Sequence, residues 1–423
     1  MTIKRTLYVI FAILILPLAA CCSSSGASGS GSSDAVSSAL NHIPSRPDSI
    51  REHPLESVSG KTAFNYLRDE NILSGWNMGN TLDSHSGGFG GETGWGNPRV
   101  NQELMNGVKA AGFDIIRIPV TWMGEIGSAP DYRITPARLS RVGDVVDMAY
   151  NAGLKVIINI HHDGATESGG RDLGWLSIAR ASRNQENDNQ ITSQFVRVWR
   201  QIAVYFQNYG DWLIFEPFNE LHDGNWQTCN DVSQLITLNN WNQAFVNVVR
   251  SSGGNNASRF LLVGAYCNDN RQALSAAFTL PVDSSPDKLI VSFHYYDPYQ
   301  LTIQGSRSAW GTPNDRQTVI GHFAPFKPRY IDNNIPVIIG ECGAVLQLYP
   351  GDSAREEQAR QSRLDYLSHV FASAKNFGLI PIYWDNGSTS GNGEKFGLLD
   401  RRTGQPVSPE AGTLLTTIIN AVK

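Results

Sequence analysis

Residues 151–163 read NAGLKVIINIHHD, and this stretch carries the fold class. A glycine turn releases the chain into Lys155–Ile160, an apolar run without polar alternation. Runs of that kind form parallel strands covered on both faces. This one stops on His161, His162 and Asp163, three side chains with chemistry to offer. The same grammar recurs along the chain. It predicts strands at Ile72–Asn77, Phe113–Ile118, Lys155–Ile160, Leu213–Phe215, Arg259–Val263, Leu289–His294, Pro336–Gly340 and Ile380–Tyr383.

Helical patterns fill the intervals. Gln102–Ala111, Ile134–Ala152, Ile191–Gly210 and Ser233–Ser252 follow the first four strands, and Ala354–Phe377 and Pro409–Val422 close the chain. Arg271–Phe278 and Arg316–Asn333 are expected as helices after strands five and six. Eight strand–helix units in roughly 360 residues fit a single (β/α)8 barrel better than a doubly wound sheet. No GxGxxG or GxxxxGK[ST] follows any strand, which argues against a nucleotide fold. The expected organisation is a signal segment over residues 1–20, a flexible linker over 21–45 and one catalytic domain over 46–423.

The N-terminus reads as an address. Lys4 and Arg5 precede the apolar run Leu7–Leu18, which is too short to span a bilayer. Leu18-Ala19-Ala20-Cys21 resembles a bacterial lipobox, which implies cleavage before a lipidated Cys21. The Ser/Gly tract over 23–33 behaves as a spacer. A residue other than Asp at position 22 implies the outer membrane of the cell envelope.

Composition narrows the partner. The chain has 34 Lys and Arg against 39 Asp and Glu, so no basic excess exists to hold nucleic acid. Charged residues are 17%, while there are 10 Trp, 14 Tyr and 17 Phe. Uncharged polar and aromatic surface suits a neutral, hydroxyl-rich ligand.

Polar side chains close the strand candidates one after another: Arg117, His161, His162, Asn219, Glu220, His294, Tyr296, Glu341 and Trp384. In a barrel of this kind the active site forms at that end. Glu220 and Glu341 sit on the fourth and seventh strands, which face one lumen. Glycosidic cleavage requires such a pair: one acid protonates the leaving oxygen and one base or nucleophile acts from the other side.

Nine segments then carry a resemblance. GWNMGNTLD (75–83), ETGWGNP (92–98), IRIPVTW (116–122), INIHHD (158–163), FEPFNE (215–220), HYYDP (294–298), IGECGA (339–344), YWDNG (383–387) and FGLLDRRTG (396–404) together resemble glycoside hydrolase family 5, a family of clan A, and most of all its subfamily 4. The resemblance implies a retaining endo-β-1,4-glucanase or xyloglucanase without a cofactor. By position it makes Glu220 the acid/base and Glu341 the nucleophile. Asn219 would grip the 2-hydroxyl, Arg117 and Tyr296 would hydrogen-bond Glu341, His294 would stand beside Glu220, and Trp384 would underlie the sugar. Asn77 in the opening motif joins the expected substrate contacts. Either His161 or His162 matches the family histidine.

Other readings compete. His161-His162-Asp163 could suggest a metal, but neighbouring strand residues point to opposite faces, so none is expected. A non-catalytic surface glycan-binding lipoprotein would have lost a carboxylate, and both are present. Trp95 and Trp226 lie in long loops suited to stacking on substrate. Cys229 and Cys267 follow strands four and five at one rim and are expected to form a disulfide, with Cys342 turned toward the helices as a free thiol. A monomer is expected, with xyloglucan the favoured substrate. It is soluble, as a tethered enzyme without an appended binding module needs, and its branches fit a broad cleft lined by Trp95, Trp226 and Tyr299. General cellulase or lichenase activity is the alternative.

Overall fold

The structure is a computed structural model that describes residues 30–85, 91–167, 169–226, 229–391 and 393–423. The signal segment and Cys21 lie outside the described residues. Eight parallel strands close into a barrel in chain order: β1 Gly75–Met78, β2 Ile115–Ile118, β3 Lys155–Asn159, β4 Leu213–Glu216, β5 Leu261–Asp269, β6 Leu289–Tyr295, β7 Val337–Cys342 and β8 Leu379–Asp385. Closure comes from β1 pairing with β8, Asn77 opposite Trp384. This is a (β/α)8 barrel forming one catalytic domain.

Strand alternation builds the lumen in layers. Ile115, Ile157, Ile214, Leu262, Ile290, Ile338 and Ile382 fill its lower part as one apolar cluster. Two residues further along those strands stand Arg117, Asn159, Glu216, Gly264, Ser292, Gly340 and Trp384. The lower layer supplies hydrophobic stability, and the layer above it is polar and carries the site. The intervening side chains, such as Ile116, Val156, Phe215, Val291 and Ile339, pack outward against the helices. Register shifts occur near the C-terminal ends of β5, β6 and β7. Such irregularities re-aim side chains where a regular ladder would not.

Side-chain caps start the helices that flank the barrel. Asn101, Thr135, Asn184, Asp231, Thr312, Asp352 and Ser408 each accept a backbone N–H of the first turn. Two helices differ from expectation. Arg316–Asn333 is not one helix but Pro313–Phe323, Phe326–Arg329 and a 3-10 turn at Ile331–Asn333, interrupted at Pro325. Arg271–Phe278 shrinks to one turn, Asn270–Ala273, capped by Asp269.

The expected flexible linker over 21–45 is corrected in its second half. Ser30–Asn41 is a helix that packs against the helix Gln185–Tyr205. Ala35 and Ala39 are buried, with Val36 and Leu40 beside them, an i, i+4 stripe that the Ser/Gly composition conceals. His42 Nε2 and the Ser45 backbone N–H both contact Asp131, fixing the chain beyond the helix.

Candidate active site

Arg117 organises the site from below. Its side chain is fully buried, and all five N–H groups have acceptors. Nε and Nη2 bind Glu216 at 2.7 and 3.2 Å, and Nη1 binds Glu341 at 2.7 Å. Nη1 also donates to Asn77 Oδ1 at 3.0 Å, and Nη2 to Asn219 Oδ1 at 2.8 Å. Burial works against the Arg117 charge, but the carboxylates of Glu216 and Glu341 more than offset it and hold its pKa above the ordinary value.

Glu220, His294 and Glu341 converge above this base, each offering an oxygen or nitrogen within 4.8 Å of the others. Register places His294 opposite Glu341. A Cβ on Gly340 would lie 2.8 Å from Ser292 Oγ and 3.1 Å from His294 Nε2, so only glycine leaves the imidazole its place.

The two carboxyls have different surroundings. Glu341 accepts from Arg117 and, at 3.0 Å, from the Tyr296 hydroxyl. Glu220 has one side-chain partner, His294 Nδ1 at 2.6 Å. Burial pushes the Glu220 pKa up to about 7, against the pull of Arg117 and His162. Burial also raises Glu341, with His294 and Arg117 opposing. Because Glu341 alone receives two direct donors, it takes the negative charge and Glu220 keeps the proton. Burial lowers His294 to about 4, so the ring is neutral. Burial keeps Tyr296 protonated, with its phenol raised well above the ordinary value.

Residues 79–390 match the family model described as Cellulase (glycosyl hydrolase family 5). The chain belongs to glycoside hydrolase family 5. Endoglucanase A of Paenibacillus barcinonensis is 37% identical, over 78% of this chain and 83% of its own length. A xyloglucan-specific endo-β-1,4-glucanase of Bacteroides ovatus is 36% identical, over 79% of this chain and 66% of its own. Among solved structures, a GH5-4 broad-specificity endoglucanase from Bacteroides salanitronis superposes with a TM-score of 0.78 at 36% identity, covering 89% of this chain and 99% of its own. This glycoside hydrolase is thus similar to subfamily 4 enzymes in sequence and in shape.

Its cleft, about 760 Å³, is lined by His161, His162, Asn219, Trp226, Tyr299 and Trp384 around the carboxylates. Trp226 is exposed and packs on His222. Tyr299 is exposed at the same rim. Trp95, expected to line the cleft, is exposed but not among its lining residues; it rests edge-on against His85 and beside His162, with its indole N–H on the His85 carbonyl.

Two expectations are corrected here. Asn77, expected to touch substrate, is fully buried. Asn77 donates to the Gly340 carbonyl and accepts from Arg117, so it supports the site from beneath. His161 and His162 do not point apart: their rings lie 4.4 Å from one another. The strand ends at Asn159 and a 3-10 turn begins at His162, which breaks the alternation. Asp83, His161 and His162 therefore offer atoms within 4.8 Å of one another, a set able to hold a cation. Both Asp83 oxygens already accept backbone N–H groups of Asn80 and Thr81. Of the histidines, His161 is the buried one, parallel to Trp384.

Glu216 escaped the sequence reading. It is fully buried and forms a two-point ion pair with Arg117. Its signal was a charged residue inside the run LIFEPF, at the lumen-facing position two beyond Ile214.

Cys229 and Cys267 are joined, and Cys342 is free and buried. The bridge closes a loop of sequence separation 38 at the cleft wall. Reduction, or Cys229→Ser, should lower unfolding free energy by up to about 3–4 kcal/mol in the chain-entropy account. Urea unfolding with and without reductant checks this; coincident curves would show that the bridge does not stabilise the fold.

Proposed function

We propose that this enzyme cleaves the backbone of β-1,4-glucans internally with retention of configuration, and that xyloglucan is its favoured substrate. One observation carries the chemistry: Glu220 and Glu341 offer carboxyl oxygens within 4.8 Å of each other, and only Glu341 is held by both Arg117 and Tyr296. That separation suits a double displacement, whereas inverting pairs stand roughly 6.5–9.5 Å apart to admit water.

Glu220 gives its proton to the glycosidic oxygen as the C–O bond breaks, and Glu341 attacks the anomeric carbon. The resulting ester removes the charge from Glu341. Glu220, now ionised, takes a proton from water, whose oxygen displaces Glu341 and restores both groups. Arg117 and Tyr296 hold Glu341 as the anion until it attacks. Asn219 has its Oδ1 committed to Arg117, so its amide NH2 is the group offered to a sugar hydroxyl. Trp384 gives an apolar face against which sugar C–H bonds pack, and its π-surface tolerates positive charge at the anomeric carbon.

The xyloglucan preference is supported by an open cleft with exposed Trp226 and Tyr299 at its rim. It is also supported by likeness to a Bacteroides ovatus GH5 xyloglucanase solved with a XXXG heptasaccharide, with a TM-score of 0.74 and 32% identity over 89% of this chain and 80% of that one. The second reading, a general endoglucanase, has its own support in the endoglucanase and broad-specificity relatives. Measured kcat/KM should be highest on tamarind-type xyloglucan, ahead of barley-type mixed-linkage glucan and carboxymethyl cellulose. If xyloglucan is the poorest of the three, the preference is wrong and the carboxylate chemistry is untouched.

A further inference from the structure

The loop after β8 places the Glu394 carboxylate in the cleft. Its backbone is held from two sides: Asn386 Nδ2 donates to the Glu394 carbonyl at 3.0 Å, and the Leu346 N–H donates to the Lys395 carbonyl at 2.8 Å. The next residue, Phe396, is fully buried in an apolar cluster with Trp384 and Val345. Glu394 therefore has a fixed station on the wall, where its exposed side chain lines the cleft together with Glu220, Trp384 and Phe396.

What sets it apart is lack of compensation. Asp269, on the opposite wall, is bound at both oxygens by Arg271, and Asp297 has His322 Nδ1 at 3.7 Å. Glu341 is neutralised by Arg117. Glu394 has no side-chain hydrogen bond or ion pair among the described residues. Arg271 is the one Lys or Arg among the described residues that line the cleft, and it is already paired.

We propose that Glu394 is a specificity-determining residue, whose charge admits neutral glucan chains and disfavours chains that carry carboxylates near the point of cleavage. The inference rests on reading the cleft as a β-glucan site. A negative charge facing the bound chain costs nothing against hydroxyls. It repels an anionic substituent across a cleft whose walls exclude part of the screening solvent. Partial desolvation at the cleft wall and the nearby Glu220 raise the Glu394 pKa, which places the two carboxyls within electrostatic reach of each other.

The test compares hydroxyethyl cellulose with carboxymethyl cellulose, which share a backbone and carry substituents of similar bulk but different charge. For the full-length enzyme at low salt, Glu394→Gln should reduce the kcat/KM preference for the neutral polymer about threefold. In the wild type, added salt should shrink that preference, and in the variant it should change little. A preference that Glu394→Gln leaves unaltered overturns the proposal, whatever happens to the absolute rate. Wild-type release of reducing ends from hydroxyethyl cellulose is measured in the same series. Its absence would instead overturn the reading of the cleft.

Discussion

Glu341→Gly should leave a folded protein that binds glucan oligosaccharides yet turns them over about 10⁴-fold more slowly or worse, a loss of roughly 5.5 kcal/mol in transition-state stabilisation. Glu341 forms the covalent bond in the proposed path, so no remaining group replaces it. The variant also leaves Arg117 without one acceptor while Glu216 still holds two of its N–H groups, so the guanidinium should stay in place. Azide fits the space vacated by the carboxylate and should restore turnover of an activated aryl glucoside, attacking from that face to give the α-glycosyl azide. Recovery of the β-glycosyl azide would reverse the assignment of the two carboxylates. An anomeric NMR time course of the wild type that shows inverted product would remove the double displacement altogether.

Glu220→Ala should behave differently. Slow substrates with poor leaving groups should lose about 10²–10⁴-fold, because the proton for the departing oxygen is gone. Aryl glycosides whose leaving group needs no proton should still form the ester and then stall for want of a base. Azide should accelerate that second step and yield the β-glycosyl azide. The pH dependence gives a second readout. The proposed path needs Glu220 protonated and Glu341 ionised. Burial holds Glu220 near 7, so the wild-type rate should fall as pH rises through that value. The Glu341 pKa is raised as well, so the acid limb should stand above the ordinary carboxylate range. With an activated substrate the alkaline limb should vanish in Glu220→Ala and the acid limb should persist. An alkaline limb that survives the substitution would assign it to another group.

The barrel and the residues gathered at its cleft were legible along the chain because both are written locally. An apolar run without alternation marks a covered parallel strand wherever it occurs, and all eight lay close to where the pattern put them. The ends were less legible. β1 begins at Gly75 rather than Ile72, because the Leu73 and Ser74 N–H groups turn to the Asp114 carboxylate instead of a neighbouring strand. Polar residues at strand ends pointed to Glu220 and Glu341 without reference to any distance.

The sequence by itself determined the kind of fold, the end of the barrel that carries the site and the residue types available there. Only the tertiary structure decided which of those residues touch one another. Arg117 and Glu216 are 99 positions apart, and their pairing depends on how three neighbouring strands are staggered. The same packing buried Asn77, turned His161 and His162 to one side, set Glu394 against the cleft and folded Ser30–Asn41 onto the barrel. The reason is physical. Periodicity reports the face on which a side chain lies, but burial, charge compensation and pKa are sums over neighbours that come from distant parts of the chain.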